Sequence, residues 1–126
     1  MNFLHYLINA RKFIQNKGSA SSIKFFQKDK ASRSLWFEIL ISYYKKDTNK
    51  NIEAIVERIP KEFGSRPKIF SIINDAIKLN FIIKKRDKID QRKYNLIATE
   101  LTINEFEIYV TNLSEVLSNK KDENSF

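Results

Sequence analysis

The segment between residues 51 and 80 most restricts what this chain can fold into, because it carries two helical patterns joined by a short turn. The first pattern repeats apolar residues at the spacing of one helix face: Ile52, Ile55, Val56 and Ile59. Asn51 is suited to cap the start of this helix, and Pro60 cannot continue it. Only "KEFGS", residues 61–65, separates it from the next helix. A glycine-containing turn of that length predicts a helix-turn-helix arrangement.

The second helical pattern has one apolar face and one polar face. Ser65 can cap its first turn, and Pro67 is tolerated there because the missing N–H would have no helical partner. Asn80 is placed to end the helix in a left-handed conformation. The apolar set is Ile69, Ile72, Ile73, Ala76 and Ile77, and the outward set is Arg66, Pro67, Lys68, Ser71, Asn74 and Asp75. Phe70 belongs to neither set, and either packs on a second face or contacts a thymine methyl group.

The outward face of this helix has the chemistry of a DNA-reading helix. In a helix-turn-helix the second helix enters the major groove, with its N-terminal residues near the base edges. Arginine and lysine can donate to guanine, asparagine can pair with adenine, and serine can bond a base or a phosphate. The predicted DNA-binding residues of this helix are Ser65, Arg66, Pro67, Lys68, Ser71 and Asn74.

Two β-rich runs, "FIIKK" at 81–85 and "KYNLIAT" at 93–99, follow the second helix. The intervening residues, 86–92, are few enough to predict a β-hairpin with a long loop. Its cations are Lys84, Lys85, Arg86, Lys88, Arg92 and Lys93. Such cations can straddle phosphates or enter the narrow minor groove, as the wing of a winged helix does. The alternative is a solvated lysine-rich turn, and the order of the elements favours the wing.

The stretch from Ser65 to Thr99 resembles the winged-helix core of the MarR-type transcriptional regulators. Residues 80–82, "NFI", stand where that family has Gly-Leu-Ile at the start of the strand, and residues 90–92, "DQR", match its Asp-x-Arg wing motif. Residues 98–99, "AT", stand at the spacing of its Leu-Thr. The resemblance implies that Arg92 reaches the minor groove and that Asp90 holds the wing and this arginine in place. It also implies a homodimer built from helices at both chain ends.

The remaining sequence adds helices on either side. Helical spacing covers residues 3–15, a glycine- and serine-rich loop follows at 16–22, and residues 23–32 could be extended or lead into the next helix. Ser32 or Ser34 can cap a helix that ends near Tyr44, and Thr102 or Asn104 can cap a last helix over about 103–118. The predicted fold is mainly α with a small β-hairpin wing, a winged helix-turn-helix whose terminal helices serve dimerisation. Its parts are an N-terminal helix and linker (1–22, a dimerisation arm), the DNA-binding domain (23–100), and a C-terminal helix with a frayed tail (101–126).

The charge distribution favours a polyanionic partner. The formal net charge is +8, with about +12 over residues 1–98 and about −4 over residues 99–126. Lysine, isoleucine and asparagine are so frequent that part of the lysine excess can reflect an AT-rich genome. The positions of the charges are therefore more informative than the net charge. The chain has no cysteine, which excludes disulfides and thiolate zinc sites. No apolar run reaches the roughly 18–20 residues of a membrane span, so the sequence predicts a cytoplasmic protein with no membrane partner.

Two functions from different classes fit these features. The favoured one is a sequence-specific regulator that binds double-stranded DNA as a homodimer and uses no cofactor. The other is a winged-helix module that binds a protein or an RNA in a larger complex. An enzyme is disfavoured because no catalytic set, metal cluster or nucleotide-binding motif is present. Whether a small-molecule effector binds is left open, since Trp36, Tyr43 and Tyr44 could line a pocket but core packing is the favoured interpretation.

Overall fold

The computed structural model describes residues 3–12 and 21–123, and within them the chain forms helices around a two-stranded antiparallel hairpin. The elements in chain order are α1 (Phe3–Lys12), α2 (Ser21–Gln27), α3 (Lys30–Tyr44), α4 (Ile52–Arg58), α5 (Arg66–Lys78), β1 (Ile82–Arg86), β2 (Tyr94–Ala98) and α6 (Glu100–Glu123). A single turn of 3-10 helix, Lys61–Phe63, lies between α4 and α5. The predicted mainly α fold with a hairpin wing is confirmed.

The segment before α3 differs from the prediction. Ser21 and Ser22, predicted as loop, begin α2, and the ambiguous stretch that follows is helical to Gln27. The cap of α3 is Asp29, whose carboxylate accepts the N–H of Ser32 at 2.8 Å, so neither Ser32 nor Ser34 is the cap. Residues 13–20, which hold the end of the first predicted helix and most of the loop, lie outside the described residues.

The last helix begins earlier and ends later than predicted. The hydroxyl of Thr99 accepts the N–H of Thr102 at 3.3 Å, and the carbonyl of Thr99 accepts the N–H of Ile103 at 3.0 Å. Thr99 therefore caps α6, rather than Thr102 or Asn104, because its side chain and carbonyl both serve the first turn. The helix continues to Glu123.

The hydrophobic core lies where α2, α3, α4 and α5 meet the hairpin. Its largest fully buried apolar side chains are Ile23, Phe26, Leu35, Ile39, Ile55, Ile73, Ile82 and Leu96. Trp36 is only 5% exposed and contacts the ring of Phe106 edge-on. It therefore belongs to this core, as the interpretation of its sequence position favoured. Tyr43 and Tyr44 are exposed instead, and Tyr44 lines an open cleft of about 360 Å³ between α3 and α6.

Candidate nucleic-acid interface

The N-terminus of α5 forms as its sequence predicts. The Ser65 hydroxyl accepts the N–H of Lys68 at 3.3 Å, and the Ser65 carbonyl accepts the N–H of Ile69 at 3.0 Å. Pro67 lies in the first turn. The buried face is Ile69, Ile72, Ile73 and Ala76, with Ile77 half-buried, and the exposed positions include Ser65, Arg66, Pro67, Lys68, Ser71, Asn74 and Asp75. The polar face predicted for this helix is therefore a solvent-facing surface.

The turn between α4 and α5 packs closely against the start of α3. A Cβ atom built on Gly64 would lie 3.2 Å from the Cβ of Ala31 and 3.3 Å from the Cδ of Lys68. This close approach leaves little space for a side chain, so glycine suits the position because it has none. The turn thereby lies close to the start of α3.

The two cations at the start of α5 already have acidic neighbours. Arg66 forms an ion pair with Glu53 of α4, and its guanidinium lies over the ring of Phe70 at 5.0 Å. The ammonium of Lys68 lies 3.6 Å from the carboxylate of Asp29. Phe70 is half-buried and packs against the core, so the packing interpretation of this residue is confirmed. Nucleic acid at this surface would compete with both carboxylates for these cations.

A short link joins α5 to the hairpin. Asn80 has a φ of 65°, the left-handed conformation predicted for it, and the N–H of Phe81 donates to the carbonyl of Ala76 at 2.9 Å. The hydroxyl of Thr99 donates to the carbonyl of Asn80, and that of Thr102 to the carbonyl of Phe81, both at 2.8 Å. The base of the hairpin is therefore anchored to α5 and to the first turn of α6.

The hairpin has a regular register and a second support. Its five antiparallel pairs run from Ile82 opposite Ala98 to Arg86 opposite Tyr94. The N–H of Leu96 donates to the carbonyl of Lys50 at 2.9 Å, next to an isolated bridge between Asn51 and Asn95. The residue that caps α4 thus also ties that helix to β2.

The loop of the hairpin is organised by Asp87, to which the sequence assigned no role. One carboxylate oxygen accepts the N–H of Ile89 at 3.0 Å and that of Asp90 at 2.7 Å, and the other accepts from the Asn95 side chain at 3.1 Å. The N–H of Asp87 donates to the carbonyl of Lys93 at 2.9 Å. The bonds that the carboxylate accepts hold the pKa of Asp87 below its usual range, and the bond from the Asp90 amide is the largest cause.

Asp90 and Arg92 are paired within the loop. The Asp90 carboxylate accepts from the Arg92 guanidinium at 3.2 Å and 3.4 Å and from its backbone N–H at 3.1 Å. The side-chain bond from Arg92 is the main cause that lowers the pKa of Asp90. The side chain of Arg92 is nevertheless 91% exposed, because the pair lies on the outside of the loop. Asp90 therefore orients an arginine that remains open to solvent.

A tyrosine holds the cations nearer the strands. The ring of Tyr94 lies 4.5 Å from the Lys84 ammonium and 5.3 Å from the centre of the Arg86 guanidinium. The Tyr94 hydroxyl also accepts from Arg86 at 2.8 Å. The face of an aromatic ring attracts a cation that remains exposed. Lys84 and Arg86 thus lie together over one tyrosine ring.

The architecture has a counterpart among solved structures. The crystal structure of a MarR-like transcription regulator from Bacillus cereus ATCC 10987 is similar over 98% of this chain and 81% of that one, with a TM-score of 0.52 and 12% sequence identity. This chain has the MarR-type winged-helix fold. The resemblance found in the sequence is therefore confirmed at the level of the fold.

Two other crystal structures are similar at a TM-score of 0.47. Heme-free PefR has 16% identity and covers 87% of this chain and 97% of its own. An uncharacterized SlyA-like transcription regulator from Listeria monocytogenes has 20% identity, and the similarity covers 95% of this chain and 75% of that one. No protein-family model matches the sequence, and no curated protein matches it.

Within this MarR-type fold, the predicted site residues fall into two groups. Ser65, Arg66, Pro67, Lys68, Ser71 and Asn74 lie on the exposed side of α5, and Lys84, Lys85, Arg86, Lys88, Asp90, Arg92 and Lys93 lie on the hairpin. Sequence reasoning missed Asp87 and Tyr94, which shape the wing. The spacing "DKID" was the available signal for Asp87, since an aspartate commonly accepts the amides two and three residues ahead in a turn.

The described part of the chain contains no helix that is both long and apolar enough to cross a membrane.

Proposed function

We propose that this protein is a transcription regulator that binds double-stranded DNA in a sequence-specific manner. The observation that supports it most is the short link that carries the chain from the polar face of α5 into the cationic hairpin, with Asn80 at the bend. A helix that enters a major groove would then bring the wing to the adjoining backbone and minor groove. Such a regulator acts where the DNA is, so the proposal places the protein in the cytoplasm.

In the proposed complex, α5 supplies the contacts to base edges. Arg66 and Lys68 would donate to guanine, and Asn74 would pair with adenine. Ser65 and Ser71 would bond phosphates or bases, and Pro67 would lie against the backbone. The positions of these residues on the exposed side of a capped helix support these roles.

The wing supplies charge and a minor-groove contact. Arg92, oriented by Asp90, would enter the minor groove. The remaining cations of the hairpin would lie along the phosphates: Lys84, Lys85, Arg86, Lys88 and Lys93. Binding of this kind releases counterions and therefore weakens as the salt concentration rises.

The proposal includes a homodimer built from the terminal helices. α1 packs against α6, and both helices leave apolar side chains in solvent. These exposed side chains include Phe3, Leu4, Leu7, Ile108 and Val110. Apolar stripes on neighbouring helices are typical of a surface that a second protein chain covers. Two-fold symmetry then requires half-sites about 10 bp apart, or a multiple of that spacing.

The first test is selection of bound sequences from a random pool of double-stranded DNA, together with the mass of the protein in solution. We expect enrichment of a two-fold symmetric sequence and the mass of a dimer. Failure to enrich any sequence, with retention of a protein or RNA partner during purification, would favour the interaction module instead. The open cleft lined by Phe37, Ile41 and Tyr44 is the feature that favours that second function.

The second test asks whether α5 and the wing each contribute to DNA binding. Arg92→Ala and Lys68→Ala are each expected to lower the affinity for the selected sequence by roughly 10-fold, on the order of the 1–3 kcal/mol of a good base contact. Loss of a cation that is proposed to lie along the phosphates, such as Lys85, reduces the slope of log K against log salt by about 1. Lys24→Ala, which removes an exposed lysine on α2, is the matched control. The proposal is wrong if neither substitution weakens binding more than the control does.

A further inference from the structure

Ile89 at the tip of the wing is an apolar side chain in an otherwise charged loop. It is 96% exposed, whereas no other large apolar side chain whose burial the structure describes exceeds 69%. Its neighbours on either side are Lys88 and Asp90, and Arg92 follows. Single exposed apolar residues are common on proteins, so exposure alone decides nothing. What distinguishes Ile89 is how the loop holds it.

The loop fixes the backbone at Ile89 and leaves the side chain free. The amide of Ile89 donates to the Asp87 carboxylate at 3.0 Å. The Asp87 amide donates to the carbonyl of Lys93 at 2.9 Å, and the Lys93 amide donates to the carbonyl of Asp90 at 3.0 Å, which closes the loop on both sides. Asn95 of β2 holds the second oxygen of Asp87 at 3.1 Å. An isoleucine on a braced tip has already lost most of the backbone freedom that binding would otherwise remove.

We propose that Ile89 is a minor-groove wedge, an apolar side chain that packs between the sugar walls and against the base edges of DNA. This inference rests on the proposed DNA binding and adds an apolar, shape-dependent contact to the electrostatic ones. Apolar side chains inserted in this way partly unstack a base step, and flexible pyrimidine–purine steps yield most easily. Lys88, next to the tip, brings the loop to the phosphates that border the groove, and Arg92 enters the same groove from the other side of the tip.

The proposal predicts a signature that differs from that of a cation. Ile89→Ala is expected to weaken binding to the selected DNA roughly 10-fold, because three carbons leave an interface that excludes water. The salt slope stays unchanged, because no counterion is involved. Ile89→Leu, which keeps the apolar volume, retains affinity within about 3-fold. Ile83→Ala removes an exposed isoleucine of β1 away from the tip and serves as the matched control.

Ile89→Lys separates the wedge from a purely electrostatic tip. A tip that acts only through charge gains affinity and a steeper salt slope from one more cation. A wedge loses affinity, because the ammonium cannot replace the apolar contact. The thermal unfolding midpoint of each variant, measured without DNA, is expected to match that of the wild type, because a side chain this exposed contributes little to folding.

The DNA supplies an independent test at the base pairs under the wing. Replacing A·T by G·C places an amino group in the minor groove, whereas inosine·cytosine changes the pair and leaves that groove free of it. We expect the wild type to lose affinity with G·C and not with inosine·cytosine, and Ile89→Ala to show a much smaller difference between them. Equal affinities of the wild type and Ile89→Ala, or tighter binding by Ile89→Lys, would overturn the wedge. The proposed function fails separately, if the wild-type protein selects no DNA.

Discussion

Replacing Glu53 by glutamine is expected to strengthen DNA binding, although the substitution removes an ion pair from the protein. Glu53 holds Arg66, the first cation of α5, in an exposed ion pair whose side chains are 58% and 55% accessible. Arg66 must exchange this carboxylate for a base or a phosphate when DNA binds. The glutamine variant frees Arg66 from its charged partner before the encounter.

The size of the effect follows from the exposure of the pair. A solvent-exposed ion pair contributes about 0.2–1 kcal/mol, and that amount is lost when Arg66 changes partner. The Glu53 carboxylate also repels nearby phosphates, by roughly 0.4 kcal/mol at a separation of about 10 Å in water. Together these terms give an expected gain of roughly 3- to 10-fold in affinity at low salt. The gain shrinks as salt screens the exposed charges.

The assay is fluorescence anisotropy with the selected DNA over a range of salt concentrations. Glu57→Gln is the control, because Glu57 is another exposed carboxylate of α4 and its loss changes the net charge equally. We expect Glu53→Gln to bind more tightly than Glu57→Gln, which isolates the effect of freeing Arg66 from that of net charge. Weaker binding by Glu53→Gln, or equal binding by the two variants, would falsify this reasoning.

Two further predictions concern the segment that carries the wing. Asn80→Ala is expected to lower the free energy of unfolding by about 1 kcal/mol, because alanine resists the left-handed conformation. Asn80→Gly is the control, and its free energy of unfolding in urea denaturation should remain within roughly 0.5 kcal/mol of the wild-type value. Equal stability of the two variants would contradict the argument. The order of the loop should also depend on pH. The pKa of Asp87 is depressed in the folded protein. The stabilisation of the loop by its ionised carboxylate is therefore fully present above the ordinary aspartate pKa of about 3.9, and it is lost as the pH falls through the depressed value. Backbone ¹⁵N relaxation of Ile89 should report this loss of order as the pH falls. The Asp87→Ala variant should show the same loss already at neutral pH. A loop that is as ordered in that variant as in the wild type would contradict the role of Asp87.

The helix-turn-helix and the hairpin could be predicted because their boundaries are set by local chemistry. Asn51 and Ser65 each accept an amide of the helix they precede, and Asn80 adopts the left-handed conformation that ends α5. Pro60 cannot donate the bond that would extend α4. Each of these residues acts through neighbours within a few positions, so one stretch of sequence contains the whole interaction.

The start of the chain resisted prediction because its support comes from far along the sequence. α2 is too short to be stable by itself, and its buried Ser22 donates from the backbone to Glu105 of α6 at 2.9 Å. The Ser22 hydroxyl donates to the same carboxylate oxygen. A contact between residues 22 and 105 leaves no mark in the local pattern, and two adjacent phenylalanines at 25–26 fit a strand as well as a helix.

The caps of α3 and α6 show a different limit. Each helix is preceded by two or more polar residues that can cap, and the choice depends on which side chain remains free for the helix. Ser32 is buried within α3, so the half-buried Asp29 takes the cap. Thr99 caps α6 because its hydroxyl also donates to the carbonyl of Asn80 at the base of the hairpin, which holds the side chain in position. Tertiary contacts therefore decide between caps that are locally equivalent.

The carboxylates of the candidate interface act on its cations in two ways, which explains why a polyanion-binding surface would keep acids. Glu53 bonds the arginine itself, so it holds that cation away from a ligand until the ligand offers a better partner. Asp87 accepts two loop amides and an asparagine, so it shapes the loop without occupying a cation. Asp90 does both, because it accepts the backbone and the guanidinium of Arg92. Since the arginine remains almost fully exposed in that pair, the aspartate restricts its direction more than its access. An acid next to a cation thus lowers affinity where it competes for the charge and raises it where it orders the loop that carries the charge.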